Sequence, residues 1–178
     1  MRPPTRILLA DDHALVRRGL RLILDGEADL SVVAEAADGA EAVRMAALGG
    51  VDLAVLDIAM PRMTGLQAAR QIGRRCPEVA MLMLSMHDSE QYLLEAVRAG
   101  AAGYVVKSVA DRDLVAACRA VVRGDHFPHP GIDGPVVDAV LARRRDPAAA
   151  EVVLSGRVVE VVYLIDDVLS GREIAELL

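Results

Sequence analysis

Aromatic residues are nearly missing from this 178-residue chain, which has three tyrosines, one phenylalanine and no tryptophan. Tyr92, Tyr104, Tyr163 and Phe127 offer few platforms for stacking on bases, which disfavours a single-stranded nucleic-acid binder. Positive charge is also short. The net charge is -6, which argues against a surface built mainly to hold phosphates. Lysine is rarer still: among 20 basic residues, Lys107 is the single lysine. The two cysteines, Cys76 and Cys118, stand far apart inside apolar segments and read as small core residues, not as a disulfide or metal clip. No apolar run approaches the roughly 18 residues that span a bilayer. The opening Met1-Arg2-Pro3-Pro4-Thr5 lacks the apolar stretch of a signal peptide, so a cytoplasmic location without membrane contact is expected.

What is present is a repeated rhythm. Arg6 to Ala10 is a short apolar run that stops at two aspartates, as a strand buried on both faces of a parallel sheet does. Leu15, Val16, Leu20, Ile23 and Leu24 then recur at helical spacing until Gly26. The pattern continues with strands predicted over 31–36, 52–56, 79–85 and 103–106. Helices are predicted over 40–48, 66–72, 90–99 and 114–122, several of them stopped by glycine. Five βα units with short connections specify a doubly wound α/β domain, since right-handed crossovers place helices on both faces of a parallel sheet. Residues 1–124 form this domain in our reading.

Ligands of such sheets bind beyond the carboxyl ends of the strands, where the winding direction reverses. The first strand delivers Asp11 and Asp12 there, the third Asp57, the fourth Ser85 and the fifth Lys107. In the order 2-1-3-4-5 the three aspartates converge. Three carboxylates in one pocket repel, so either their pKa values rise or a cation sits among them, and magnesium suits an all-oxygen donor set. A dinucleotide site is disfavoured, because the first turn is Ala10-Asp11-Asp12-His13 and has no glycine to let amides approach a pyrophosphate. Phosphoryl chemistry on a carboxylate remains: a metal neutralises the incoming group, lysine holds an oxygen and aspartate attacks.

Asp11-Asp12, Asp57-Ile58-Ala59-Met60-Pro61 followed by Gly65, then Ser85, then Gly103-Tyr104-Val105-Val106-Lys107 resemble the receiver domain of two-component response regulators. Ser85-Met86-His87-Asp88 looks most like the NarL/FixJ subfamily. The resemblance implies that Asp57 accepts a phosphoryl group from the phosphohistidine of a histidine kinase. It implies a magnesium ion arranged by Asp11, Asp12, Asp57 and the Ala59 carbonyl, with Lys107 and the Ser85 hydroxyl on the phosphoryl oxygens. It further implies that Tyr104 turns inward as that hydroxyl moves. A homodimer formed on phosphorylation is expected, and no enzymatic turnover beyond the chain's own phosphorylation and dephosphorylation.

Residues 125–150 read as a linker: Val136, Val137, Val140 and Leu141 suggest a short helix ending at Arg143-Arg144-Arg145, before a hinge at Asp146-Pro147-Ala148-Ala149-Ala150. His126 and His129 lack an evident third ligand for a metal. Residues 151–178 resemble the opening of the LuxR-type helix-turn-helix attached to such receivers, through Leu154, Arg157, Glu160, Ser170, Glu173, Ile174 and Ala175. Asp166 and Val168 depart from its small-apolar and glycine positions, and no recognition helix follows Leu178. DNA binding is therefore expected of a longer form and not of this chain. The rival expectation is a receiver-type protein-interaction module that binds no DNA.

Overall fold

The computed structural model describes residues 3–87 and 90–125. The expected linker helix, the His126–His129 pair and the helix-turn-helix fragment over 151–178 lie outside the described residues. Strands β1 (Thr5–Ala10), β2 (Leu30–Ala36), β3 (Leu53–Asp57), β4 (Ala80–Ser85) and β5 (Gly103–Val106) alternate with helices. These are α1 (Ala14–Asp25), α2 (Gly39–Ala47), α3 (Gly65–Arg75), α4 (Glu90–Ala99) and α5 (Ala110–Val122), the last preceded by a short 3-10 turn, Lys107–Val109. All strand pairs are parallel and the order is β2-β1-β3-β4-β5, as the alternation predicts.

β3 and β5 are buried at every position, β4 at all but its first residue and β1 from Ile7 onward, because helices cover both faces of the sheet. β2 and β5 are the edge strands; β5 is short and fully buried, whereas β2 is partly exposed. Its register with β1 slips between Ile7 and Leu8, which leaves Val33 unpaired and about half exposed, a bulge that blunts the edge. Ile7, Leu9, Val55, Leu82, Leu84 and Val105 pack with Leu20 and Leu24 of α1 and Leu114, Cys118 and Val121 of α5 in one layer. α2, α3 and α4 form a second layer, with α3 touching both neighbours. Both cysteines are free and buried, and burial pushes the Cys118 thiol up to about 12. It stays protonated and serves as core.

One apolar pattern needs correction. Leu15 and Val16 are exposed on α1, and only Leu20 and Leu24 of that helix are fully buried. The helical period is real, but among the described residues nothing covers the apolar side chains of the first turn. Met81 and Met83 fill the core of β4, whereas Met86 lies beyond the strand and is exposed.

Helix α3 starts one residue before the predicted apolar stretch because Thr64 caps it. The Thr64 hydroxyl accepts from the Gln67 N–H at 3.2 Å, and the Gln67 side chain accepts from the Thr64 N–H at 3.0 Å. This reciprocal box satisfies two otherwise orphaned donors. Thr64→Ala is expected to cost about 1 kcal/mol, read as a lowered urea midpoint with an unchanged slope.

Candidate functional site

The register brings distant residues to one level. Ala10 pairs with Leu56, so Asp11 and Asp57 emerge side by side from β1 and β3. Asp57 pairs with Leu84 and Ser85 with Val106, so Ser85 and Lys107 follow one step further along the rim. Lys107 reaches back across the strand ends. Its Nζ lies 2.7 Å from Asp11 Oδ2 and 2.8 Å from Asp57 Oδ2, with all three side chains buried. Both Oδ2 atoms are in ion-pair range, yet neither receives a hydrogen bond of good direction. The amine sits between two carboxylates and is aligned with neither.

The remaining carboxylate oxygens are tied to backbone. Asp11 Oδ1 accepts from the His13 N–H at 2.8 Å, and Asp57 Oδ1 accepts from the Ala59 N–H at 3.4 Å. Asp12 is partly exposed beside them, with the His13 ring Nδ1 at 2.9 Å from its Oδ1. Donor atoms of Asp11, Asp12, His13 and Asp57 all lie within 4.8 Å of one another. The three carboxylates are therefore a fitting set for a hard divalent cation, with two buried oxygens still short of a well-directed partner.

Burial is the largest influence on Asp57 and raises its pKa; Asp11 raises it too, and the pull of Lys107 only partly offsets them. Burial works in the opposite direction on Lys107, but Asp11 and Asp57 together outweigh it and hold the amine above its usual value. Lys107 is thus charged at neutral pH, and Asp57 is a more basic carboxylate than a surface aspartate.

Ser85 is buried, and its Oγ accepts from the His87 N–H at 3.0 Å. Tyr104, expected to move inward, is already 1% exposed, and its hydroxyl donates to the His87 carbonyl at 2.7 Å. A single peptide segment thereby connects the end of β4 to the ring on β5. The His87 ring in turn stacks on Tyr92, with centroids 5.8 Å apart.

Three contributors were not singled out from sequence. Arg17 donates from its guanidinium to the Asp11 carbonyl at 2.5 Å and to Glu35 at 2.9 Å, fixing the first turn against β2. The loop after Asp57 is held at its far side, where the Gly39 N–H donates to the Met63 carbonyl at 3.1 Å and Arg62 pairs with Asp38, the cap of α2. His13 is the third. It is the N-cap of α1, and its ring also faces the acids. Only adjacency to Asp11-Asp12 signalled that.

Comparison with known proteins agrees with this geometry. The family model of the response regulator receiver domain matches residues 7–119. The oxygen regulatory protein NreC of Staphylococcus carnosus is 36% identical over 96% of this chain and 81% of its own length. A two-component response regulator of the LuxR family from an Aurantimonas species is 34% identical with a TM-score of 0.67, covering 80% of this chain and 98% of that one. The signal receiver domain of NarL from Mycobacterium tuberculosis is 32% identical with a TM-score of 0.66, covering 69% and 99%. Sheet order, acidic rim and these likenesses converge: the chain belongs to the response regulator receiver family, in its LuxR/NarL branch, and works in two-component signalling.

Proposed function

We propose that Asp57 is the phosphoacceptor of this receiver, taking the group from a histidine kinase. The observation that carries this reading is the placement of Asp57: a buried, raised-pKa carboxylate with Lys107 against one oxygen and two further acids beside it. A carboxylate oxygen of Asp57 attacks phosphorus, the P–N bond of the phosphohistidine breaks, and the imidazole leaves with that electron pair. Lys107 is held where it can neutralise an oxygen of the arriving group.

Asp11, Asp12, Asp57 and the Ala59 carbonyl would hold a magnesium ion. When bound, it supplies the positive charge that offsets the repulsion between the acids and the incoming phosphoryl oxygens. Ser85 is the second contact for those oxygens, donating its hydroxyl proton to them, and turning the hydroxyl toward them draws Oγ away from the His87 N–H it now accepts from. That exchange loosens the segment on which the Tyr104 hydroxyl rests, which makes Ser85 and Tyr104 the switch pair. We assign residues 1–124 to the receiver, 125–150 to a linker and 151–178 to the start of a helix-turn-helix. DNA contact is assigned to a longer form, homodimerisation to the phosphorylated state, and the setting to the cytoplasm. No helix among the described residues is long and apolar enough to cross a membrane. No chemistry is assigned beyond the chain's own phosphorylation and its reversal.

The experiment is intact mass after incubation with magnesium and a small phosphodonor. Wild type gains one phosphoryl group, the gain is lost with a chelator, and Asp57→Asn gains none. Labelling of Asp57→Asn equal to wild type would overturn the assignment.

A further inference from the structure

Arg62, on the loop from Asp57 to α3, stands in the left-handed backbone region with φ 64°, alone among the described non-glycine residues. That region costs free energy for a residue with a Cβ, so it persists only where surrounding contacts impose it. The turn is tight: the Met63 N–H donates to the Pro61 carbonyl at 2.7 Å, spanning Arg62 alone. The loop is closed at its base, where the Gly65 N–H donates to the Ile58 carbonyl at 3.0 Å, and its tip is held from outside by the start of α2. Asp38 is buried there and caps α2, its Oδ1 accepting from the Glu41 N–H at 2.8 Å, while the Glu41 side chain accepts from the Ala37 N–H at 2.9 Å. The other Asp38 oxygen takes the Arg62 guanidinium, and among the described residues no other cation is in ion-pair range of it. Beside the pair the two loops touch through main chain, and a Cβ on Gly39 would stand 2.5 Å from the Met63 carbonyl oxygen.

We infer that Arg62 is a positioning residue for phosphoryl transfer at Asp57: its ion pair with Asp38 holds the left-handed turn, and the turn holds the Ala59 backbone against the acceptor carboxylate. This deepens the reading of Asp57 as phosphoacceptor and rests on it. Ala59 is exposed, and its N–H reaches Asp57 Oδ1 at 3.4 Å, too long for a bond that fixes the segment by itself. Its place is set from both sides. On one, the Ile58 N–H continues the ladder to the Leu84 carbonyl at 2.9 Å; on the other, the chain passes through residue 62 at an angle that an unpaired arginine leaves for negative φ. Release of Arg62 from Asp38 therefore re-aims the backbone between Ile58 and Met63. The guanidinium is 71% exposed, so the pair adds little stability. It has only to decide between two backbone conformations of one residue.

The test is the initial rate at which the full chain is phosphorylated by a small phosphodonor at saturating magnesium, with urea unfolding of each protein alongside. Asp38→Asn keeps the cap, since asparagine serves that position as well as aspartate, and removes the charge that Arg62 needs. It is expected to slow phosphorylation about fivefold while the urea midpoint stays in place. Arg62→Ala is expected to slow it by a similar factor, and the two variants approach the pair from opposite sides, so loss of fold in one leaves the other informative. Arg62→Lys keeps a cation for the single contact with Asp38 and is expected to restore most of the rate. The double variant Asp38→Asn/Arg62→Ala is expected to be no slower than the slower single one, as partners in one interaction are not additive. A wild-type rate in Asp38→Asn, or an Arg62→Lys protein as slow as Arg62→Ala, overturns the positioning role while Asp57 stays the acceptor. Labelling of Asp57→Asn at the wild-type rate overturns the phosphoacceptor reading and the inference with it.

Discussion

Lys107→Met is expected to destabilise the receiver by about 3 kcal/mol at neutral pH and to stop phosphoryl transfer to Asp57. The amine is the only cation within ion-pair range of both buried carboxylates among the described residues. Removing it leaves Asp11 and Asp57 facing each other without compensation. The sign of the pH dependence follows from the remaining influences. With Lys107 gone, burial and Asp11 both raise the Asp57 pKa, so the folded state holds a proton that the unfolded chain releases. Stability of the variant therefore falls as pH rises from the ordinary carboxylate value of 3.8 toward the raised one, and the deficit shrinks on acidification. Wild type has the complementary dependence at high pH. Its Lys107 contribution is complete below 10.5 and is lost as pH climbs through the raised value. Urea unfolding of both proteins at several pH values checks this. A Lys107→Met protein as stable as wild type at neutral pH would mean that the three groups do not form a coupled cluster.

Gly65→Ala is expected to be the most damaging single methyl group in the domain. A Cβ there would stand 2.0 Å from the Asp57 carbonyl oxygen and 2.8 Å from its carbon, with the Ile58 Cα at 3.2 Å. All three are backbone atoms, so no side chain can rotate away. Either α3 retreats or the end of β3 shifts, and Asp57 moves with it. The expected cost is about 2 kcal/mol, despite the better helix propensity of alanine, together with slowed phosphorylation. Gly19→Ala is the matched control: nothing lies within 4 Å of its Cβ, and the position is an exposed helix interior. It is expected to gain about 0.5–1 kcal/mol without affecting phosphorylation. The glycine in the Asp57 motif is thus explained by contact, because α3 must begin against the strand that presents the acceptor.

The sheet was legible because its central strands have no polar face. Runs such as Leu53-Ala54-Val55-Leu56 admit few placements other than a parallel sheet covered on both sides, and the residues that end those runs land on one rim by topology alone. Asp11, Asp57 and Lys107 could therefore be expected at one end of the sheet, and the register brings them there. Neither the ion-pair geometry nor the state of Tyr104 was legible. Tyr104 is inward because the His87 carbonyl offers its hydroxyl a partner, and that carbonyl belongs to a segment 17 residues away in sequence. Arg17 resembled any surface arginine of an amphipathic helix until α1 placed it over the Asp11 carbonyl. Leu15 and Val16 carried the right period, but helical spacing alone cannot tell which turns of a helix are covered.

The most direct test of the account locates the phosphoryl group and does not merely count it. Borohydride reduces an acyl phosphate on aspartate to homoserine, so wild-type protein labelled with a small phosphodonor and magnesium, then reduced and digested, carries its mark at the modified residue. The account predicts homoserine at Asp57, with Asp11 and Asp12 unaltered in the same digest. Homoserine at Asp11 or Asp12, with Asp57 intact, would contradict it.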